Sequence, residues 1–117
     1  MARNSVTHRP EPLTELSFEN PSALPATYIS GQMVPVAFDV HDLEYRDMTY
    51  RYRVYATDDD TPPGNDTAPI HTIKVADKGT ATVRLAVPAT GDSARVKVVV
   101  ELVDQRQSIH FWLEHTN

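Results

Sequence analysis

Apolar residues fall on every second position of this chain, in short runs cut off by turn residues, and nowhere at helical spacing. Val34, Val36, Phe38 and Val40 make one such run. Tyr50, Tyr52 and Val54 make another, followed by Val83, Leu85 and Val87, then by Val96, Val98, Val100 and Leu102. A period of two buries one face of a strand and leaves the other in water. Sheets with one apolar face must cover it with a second layer, so the pattern predicts an all-β sandwich.

The punctuation divides the chain. Residues 1–12 read as a flexible, polar lead-in and 13–117 as a single sandwich domain. Thr14, Leu16 and Phe18 alternate as a first strand. Asn20-Pro21 and Leu24-Pro25 break it, because proline lacks the ladder donor. Residues 33–41 and 48–57 are the second and third strands, separated by a turn over 42–47; the third is tyrosine-rich, which suits a half-buried pleated surface. The longest loop, 58–68, carries Pro62-Pro63-Gly64. Residues 69–75 and 80–87 read as the next pair, turned through Asp77-Lys78-Gly79, and 94–103 with 108–115 as a closing hairpin. About seven antiparallel strands at such spacings predict an immunoglobulin- or fibronectin-III-like sandwich.

Cross-strand chemistry suggests registers. Setting Phe38 opposite Tyr52 and Val40 opposite Tyr50 puts Asp39 across from Arg51, a complementary pair. In the last hairpin, Leu102 opposite Ile109, Val100 opposite Phe111 and Val98 opposite Leu113 would bring Glu101 to His110 and Lys97 to Glu114. Gln105-Arg106 would centre a tight turn, and since neither is a strong former of that turn, a longer or bulged turn competes. This register places Val99, Val103 and Trp112 together on the outer face. An outward apolar patch with a tryptophan marks a partner site. A hairpin shifted by one residue would instead put Trp112 in the core.

Composition narrows the function. The 117 residues contain no cysteine, so disulfides and thiolate chemistry are excluded. A net charge of −5 argues against a nucleic-acid partner, which calls for a clustered basic face. The alternating Tyr50, Arg51, Tyr52, Arg53 and Tyr55 do not reverse this, because Tyr50 and Tyr52 share the core-facing side with Val54. No run approaches the ~20 apolar residues of a membrane-spanning helix, and the first twelve residues do not read as a signal peptide.

Chemistry-bearing motifs are sparse. Asp58, Asp59, Asp60 and Asp66 supply carboxylates in one loop, the hard oxygens calcium prefers, but without the spaced pattern of a calcium loop. His8, His41, His71, His110 and His115 show no zinc-ligand spacing, and His110 and His115 point to opposite sides of one strand. Glu44 and Asp47 read as solvated turn carboxylates, and Asn65-Asp66-Thr67 is a glycosylation sequon. No nucleophile elbow, zinc-protease motif or phosphate-binding loop occurs, so no catalytic residue and no cofactor is expected.

Several stretches together carry a family resemblance. They are Leu13-Thr14-Glu15-Leu16-Ser17-Phe18 with Leu24-Pro25, Phe38-Asp39-Val40-His41-Asp42-Leu43-Glu44, Met48-Thr49-Tyr50-Arg51-Tyr52-Arg53-Val54 and Ile109-His110-Phe111-Trp112. They resemble the C-terminal, immunoglobulin-like domain of uncharacterised polytopic membrane proteins of archaea and bacteria. In that family a V-x-N-x-E segment precedes an x-Y-x-V-x-V strand, and the chain closes on hydrophobic-H-x-W. Asp42 stands where the family usually has asparagine. The resemblance implies a sandwich displayed outside a membrane and supplies no functional residues. The expected role is a non-catalytic accessory or interaction domain that binds a protein, a cell-surface partner or a second copy of itself through Trp112, Val99 and Val103. The alternative is a carbohydrate- or calcium-binding module using the 58–66 loop.

Overall fold

A computed structural model describes residues 11–58, 68–89 and 94–116, with residue 58 described in its backbone only. Among these residues the elements are β1 (Leu13–Phe18), a one-turn 3-10 helix (Pro21–Ala23), β2 (Thr27–Tyr28), β3 (Gln32–Leu43), β4 (Met48–Asp58), β5 (His71–Val75), β6 (Thr80–Ala89), β7 (Arg95–Leu102) and β8 (Gln107–His115). They form a three-stranded sheet in the order β1-β3-β6 and a five-stranded sheet in the order β2-β8-β7-β4-β5. The second, third, fourth and closing strands expected from the alternation are all present, each longer or shorter than expected by a few residues.

The runs of period two line the space between the sheets. Val34, Val36, Phe38 and Val40 of β3 and Val96, Val98, Val100 and Leu102 of β7 are all buried in one cluster with Tyr28, Tyr50, Phe111 and Leu113. Phe18 meets Phe111 edge-on at 5.3 Å and Phe38 meets Tyr52 at 5.4 Å between ring centroids. Such pairs add about 0.5–1.5 kcal/mol to their burial. Proline is placed where it costs no ladder bond: Pro35 precedes Phe38, where the β1 pairing of β3 begins, and Pro88 is in an edge strand. Gly31, with φ of 86°, closes the β2–β3 turn, whose Gln32 amide donates to the Ile29 carbonyl at 2.9 Å. A positive φ at the third residue of such a turn favours glycine.

Four expectations about neighbours are corrected. The stretches 69–75 and 80–87 are not a pair, because β5 joins the five-stranded sheet and β6 the three-stranded one. Phe38 and Tyr52 do meet, but across the core rather than within a sheet; Asp39 accepts from Thr82 at 2.6 Å, and Arg51 pairs with Asp104. The closing hairpin is displaced by two residues, with Val100 opposite Ile109, Val98 opposite Phe111 and Leu102 opposite Gln107. Glu101 therefore meets Ser108, and Lys97 meets Trp112. The turn is the longer kind, residues 103–106, with Arg106 at φ 54°. Two anchors hold it: the Val103 amide donates to the Arg51 carbonyl at 2.9 Å, and Asp104 grips the Arg51 guanidinium. Finally, the segment after β1, expected only to break the strand, yields β2, whose pairing with β8 is parallel.

Truncating Phe38 to alanine should cost about 3–5 kcal/mol, since it empties the middle of the seam. Urea unfolding followed by circular dichroism checks this; a loss under 1 kcal/mol would mean the two sheets do not meet there.

Candidate functional site

The outer face of the five-stranded sheet carries side chains a solvated face does not call for. Across its middle, Tyr55 of β4, Val99 of β7 and His110 of β8 stand in register. Val99 is 2 % exposed and Tyr55 5 % exposed although both point away from the core. One pair along, Lys97 lies opposite Trp112. The indole is half-buried. The Arg95 guanidinium carbon sits 4.2 Å from the ring centroid, Lys97 Nζ lies 5.6 Å away, and His110 packs edge-on at 5.9 Å. The two-residue displacement of the hairpin keeps every side chain on its expected face, so Trp112 is outside, as the first register had it, and the one-residue shift that would bury it does not occur. Val99 joins Trp112 diagonally. Val103 does not, since it opens the turn roughly 20 Å along the strand from Lys97 at 3.3 Å per residue.

A second polar constellation sits where β1, β3, β4 and β8 converge. Asp42, expected in a turn, is the penultimate residue of β3 and is fully buried. Its Oδ1 accepts from the Glu44 amide at 2.9 Å, while its Oδ2 is buried without a partner. The Thr14 hydroxyl donates to Glu44 Oε2 at 2.7 Å, so the Tyr50 hydroxyl, also 2.7 Å from Thr14 Oγ1, is the donor of that bond. Gln107 Nε2 donates to the Thr14 carbonyl at 3.1 Å. Glu44 is thus a half-buried acceptor, not a solvated carboxylate, and Asp47 caps the Asp77 amide at 2.9 Å. Sequence reading missed this cluster because a polar residue at a strand end looks like the start of a turn. The alternation itself continues through it, Val40 and Asp42 being on one side.

The remaining candidates are dispersed. His41 contacts Glu15 at 3.0 Å, His71 leans on the Tyr52 ring at 5.5 Å, and His115 packs on Tyr28 at 5.1 Å, on the side opposite His110. No group of three metal-capable side chains converges among the described residues. Asp59, Asp60, Asp66, the side chain of Asp58, the sequon and His8 lie outside the described residues. Arg51 and Asp104 make a two-pronged exposed pair, one prong at 3.0 Å, which holds the Asp104 carboxyl below its ordinary range. Two shallow apolar clefts flank β6. The first, of about 230 Å³, lies between Leu24, Pro25 and Pro35; the second, of about 340 Å³, lies between Val54, Pro69 and Val87. No helix among the described residues is long and apolar enough to cross a membrane.

No family model matches the chain, and no curated protein matches it in sequence. Solved structures do match in shape. A CARDB domain of Pyrococcus furiosus, determined in solution, superposes with a TM-score of 0.63 at 12% identity, covering 91% of this chain and 96% of that one. The crystal structure of a CARDB domain from the same organism, in complex with di-metal ions, gives 0.65 at 12% identity, covering 93% and 97%. The β-glucosidase of Listeria innocua in complex with glucose gives 0.67 at 12% identity over 91% of this chain, which spans only 16% of the glucosidase. The fold is an immunoglobulin-like sandwich. At these identities the likeness concerns architecture alone.

Burial pushes the Tyr50 hydroxyl above its ordinary ionisation range; Asp42 and Glu44 push it further, while Arg46 opposes this. An acid whose folded value is raised stabilises the fold fully below the unfolded value of about 10, and that contribution is lost as pH climbs through the folded value. Stability should therefore fall above pH 10, and Tyr50→Phe should flatten that fall while costing about 1 kcal/mol at neutral pH. Unfolding curves at a series of alkaline pH values check both; an unchanged slope would mean Tyr50 is not the group responsible.

Proposed function

We propose that this chain is a non-catalytic accessory domain that docks a protein or cell-surface partner on the outer face of its five-stranded sheet. The observation that carries this is Trp112, half-buried on an outward face beside Val99 with the Arg95 guanidinium over its ring. Tryptophan and arginine dominate the binding energy of protein interfaces, and a stacked guanidinium is already ordered before binding. Val103 extends the same sheet toward the turn as a rim contact. The accessory role is supported by the neighbours in shape, one of which is nearly a whole CARDB domain and another a 16% portion of a glucosidase chain. The family resemblance supplies a setting, display outside a membrane as part of a longer prokaryotic protein.

Trp112 is the single tryptophan of the chain, so its fluorescence reports on this face alone. The expected behaviour is partial quenching by acrylamide in the isolated domain and protection when the partner binds. Trp112→Ala should reduce stability by about 1 kcal/mol, well below the 3–5 kcal/mol of a core truncation, while removing binding. Full protection in dilute protein, together with a core-sized loss of stability, would overturn the reading.

A cation-binding role for the 58–66 loop is the second reading, favoured by the di-metal complex of the Pyrococcus domain. It expects millimolar calcium to raise the melting temperature, and the rise to vanish when Asp58, Asp59 and Asp60 become asparagine. An unchanged melting temperature ends it.

A further inference from the structure

Thr14 and Gln107 are 93 residues apart in the chain and meet at one pole of the sandwich, on strands of different sheets. Thr14 shares its side of β1 with Leu16 and Phe18, and Gln107 shares its side of β8 with Ile109, Phe111 and Leu113. Alternation therefore turns both side chains toward the interior. Thr14 is 3 % exposed, and Gln107 Nε2 donates to its carbonyl at 3.1 Å. The carboxamide carbon Cδ is one bond, about 1.3 Å, from that nitrogen. Rotation about the Gln107 side-chain bonds moves the carboxamide from the carbonyl of Thr14 toward the hydroxyl of the same residue.

That hydroxyl is equipped as a nucleophile. It donates its proton to Glu44 Oε2 at 2.7 Å, and Oγ1 accepts from the Tyr50 hydroxyl at 2.7 Å. A hydroxyl oxygen has two lone pairs, so one stays free for attack. A hydroxyl held against a base beside its target gains what a reaction between free molecules loses in translation and rotation. Asp42 keeps Oδ2 buried and without a partner in the same cluster, an acceptor for the N–H groups of a carboxamide turned inward.

We infer that Thr14 and Gln107 become joined by a side-chain ester that ties β1 to β8. Thr14 Oγ1 attacks Gln107 Cδ as its proton passes to Glu44. The Cδ–Nε2 bond then breaks, Glu44 hands that proton to the nitrogen, and ammonia leaves with the bonding pair. One amide is exchanged for one ester, and the step balances without a co-reactant. An ester is the less stable of the two in water. The departure of ammonia draws the exchange forward, and the burial of Thr14 shields the product from hydrolysis. The event occurs once per chain, so it is a self-modification and not turnover, and it is independent of the outer face where a partner docks.

The test is the intact mass of the folded full chain, followed by trypsin, which cuts after Arg46 and Arg106 and so separates the two residues. The expected mass is one ammonia below that of the sequence. The expected digest contains the peptide ending at Arg46 joined to the peptide 107–117, and hydroxylamine, which cleaves esters, should split the pair. Thr14→Val and Gln107→Leu should each restore the full mass, and Thr14→Ser, which keeps the hydroxyl, should retain the bond. Glu44→Gln should leave a large fraction of the chain unjoined and converting slowly. A full sequence mass in folded protein after prolonged incubation would overturn the inference, whatever the variants do. An ammonia deficit that persists in Thr14→Val or in Gln107→Leu would also overturn it, because the ammonia would come from another pair of groups. Complete conversion of Glu44→Gln would overturn the assignment of Glu44 as the proton carrier.

Discussion

The apolar side chains that the two sheets bury in one common cluster, four from β3 and four from β7 among them, are the contact on which the rest of this structure depends. Each sheet alone would expose a continuous apolar stripe, and closing the stripes on each other removes both from water. Because this seam is made by alternate residues, the other residues of the same strands are released from any duty in the core. They can then carry charge, as on β4 and β7, or an aromatic group, as at Trp112 on β8.

The seam also explains the polar cluster. Its last position on β3 is occupied by Asp42, so a carboxyl is carried into the interior by the same alternation that buries Val40. One oxygen is satisfied by the Glu44 amide, and Thr14, Tyr50 and Glu44 complete a chain of hydroxyl and carboxylate contacts beside it. A buried polar atom without a partner costs about 1–3 kcal/mol, so the unpaired Oδ2 is a local weakness at the junction of four strands.

Which face a residue occupies was legible in the sequence; which strand it neighbours was much less so. Period two states inside or outside and is silent about partners, so Phe38 and Tyr52 could be taken for sheet neighbours when they are partners across the core. A displacement of two residues in the closing hairpin leaves all faces intact, so of the two placements the sequence leaves open for Trp112, outside and core, the outer one follows from a register whose neighbours are wrong. The assignment of β5 and β6 to one hairpin failed because a short turn such as Asp77-Lys78-Gly79 can join strands of different sheets as easily as strands of one. β2 has two residues, too few to show any period. At the outer face, Val99 and Trp112 were visible as breaks in the alternation. The clamp of Arg95 on the indole was not, since it depends on a pairing that only the register decides.

The parallel pairing of β2 with β8 has a mechanical meaning. Gln107 reaches Thr14, which puts the start of β8 beside the start of β1, while the end of β8 lies against Tyr28. Residues 13 and 116 are thus at opposite poles of the sandwich. A pull between them runs along the strand axes. It slides β1 against β3, and it slides β2 against β8, where the Glu114 and Thr116 amides hold the Ala26 and Tyr28 carbonyls. The bonds of each ladder are loaded side by side in shear and share the force, instead of opening one after another like a zip. A domain strung within a longer extended chain would meet tension in its most resistant direction.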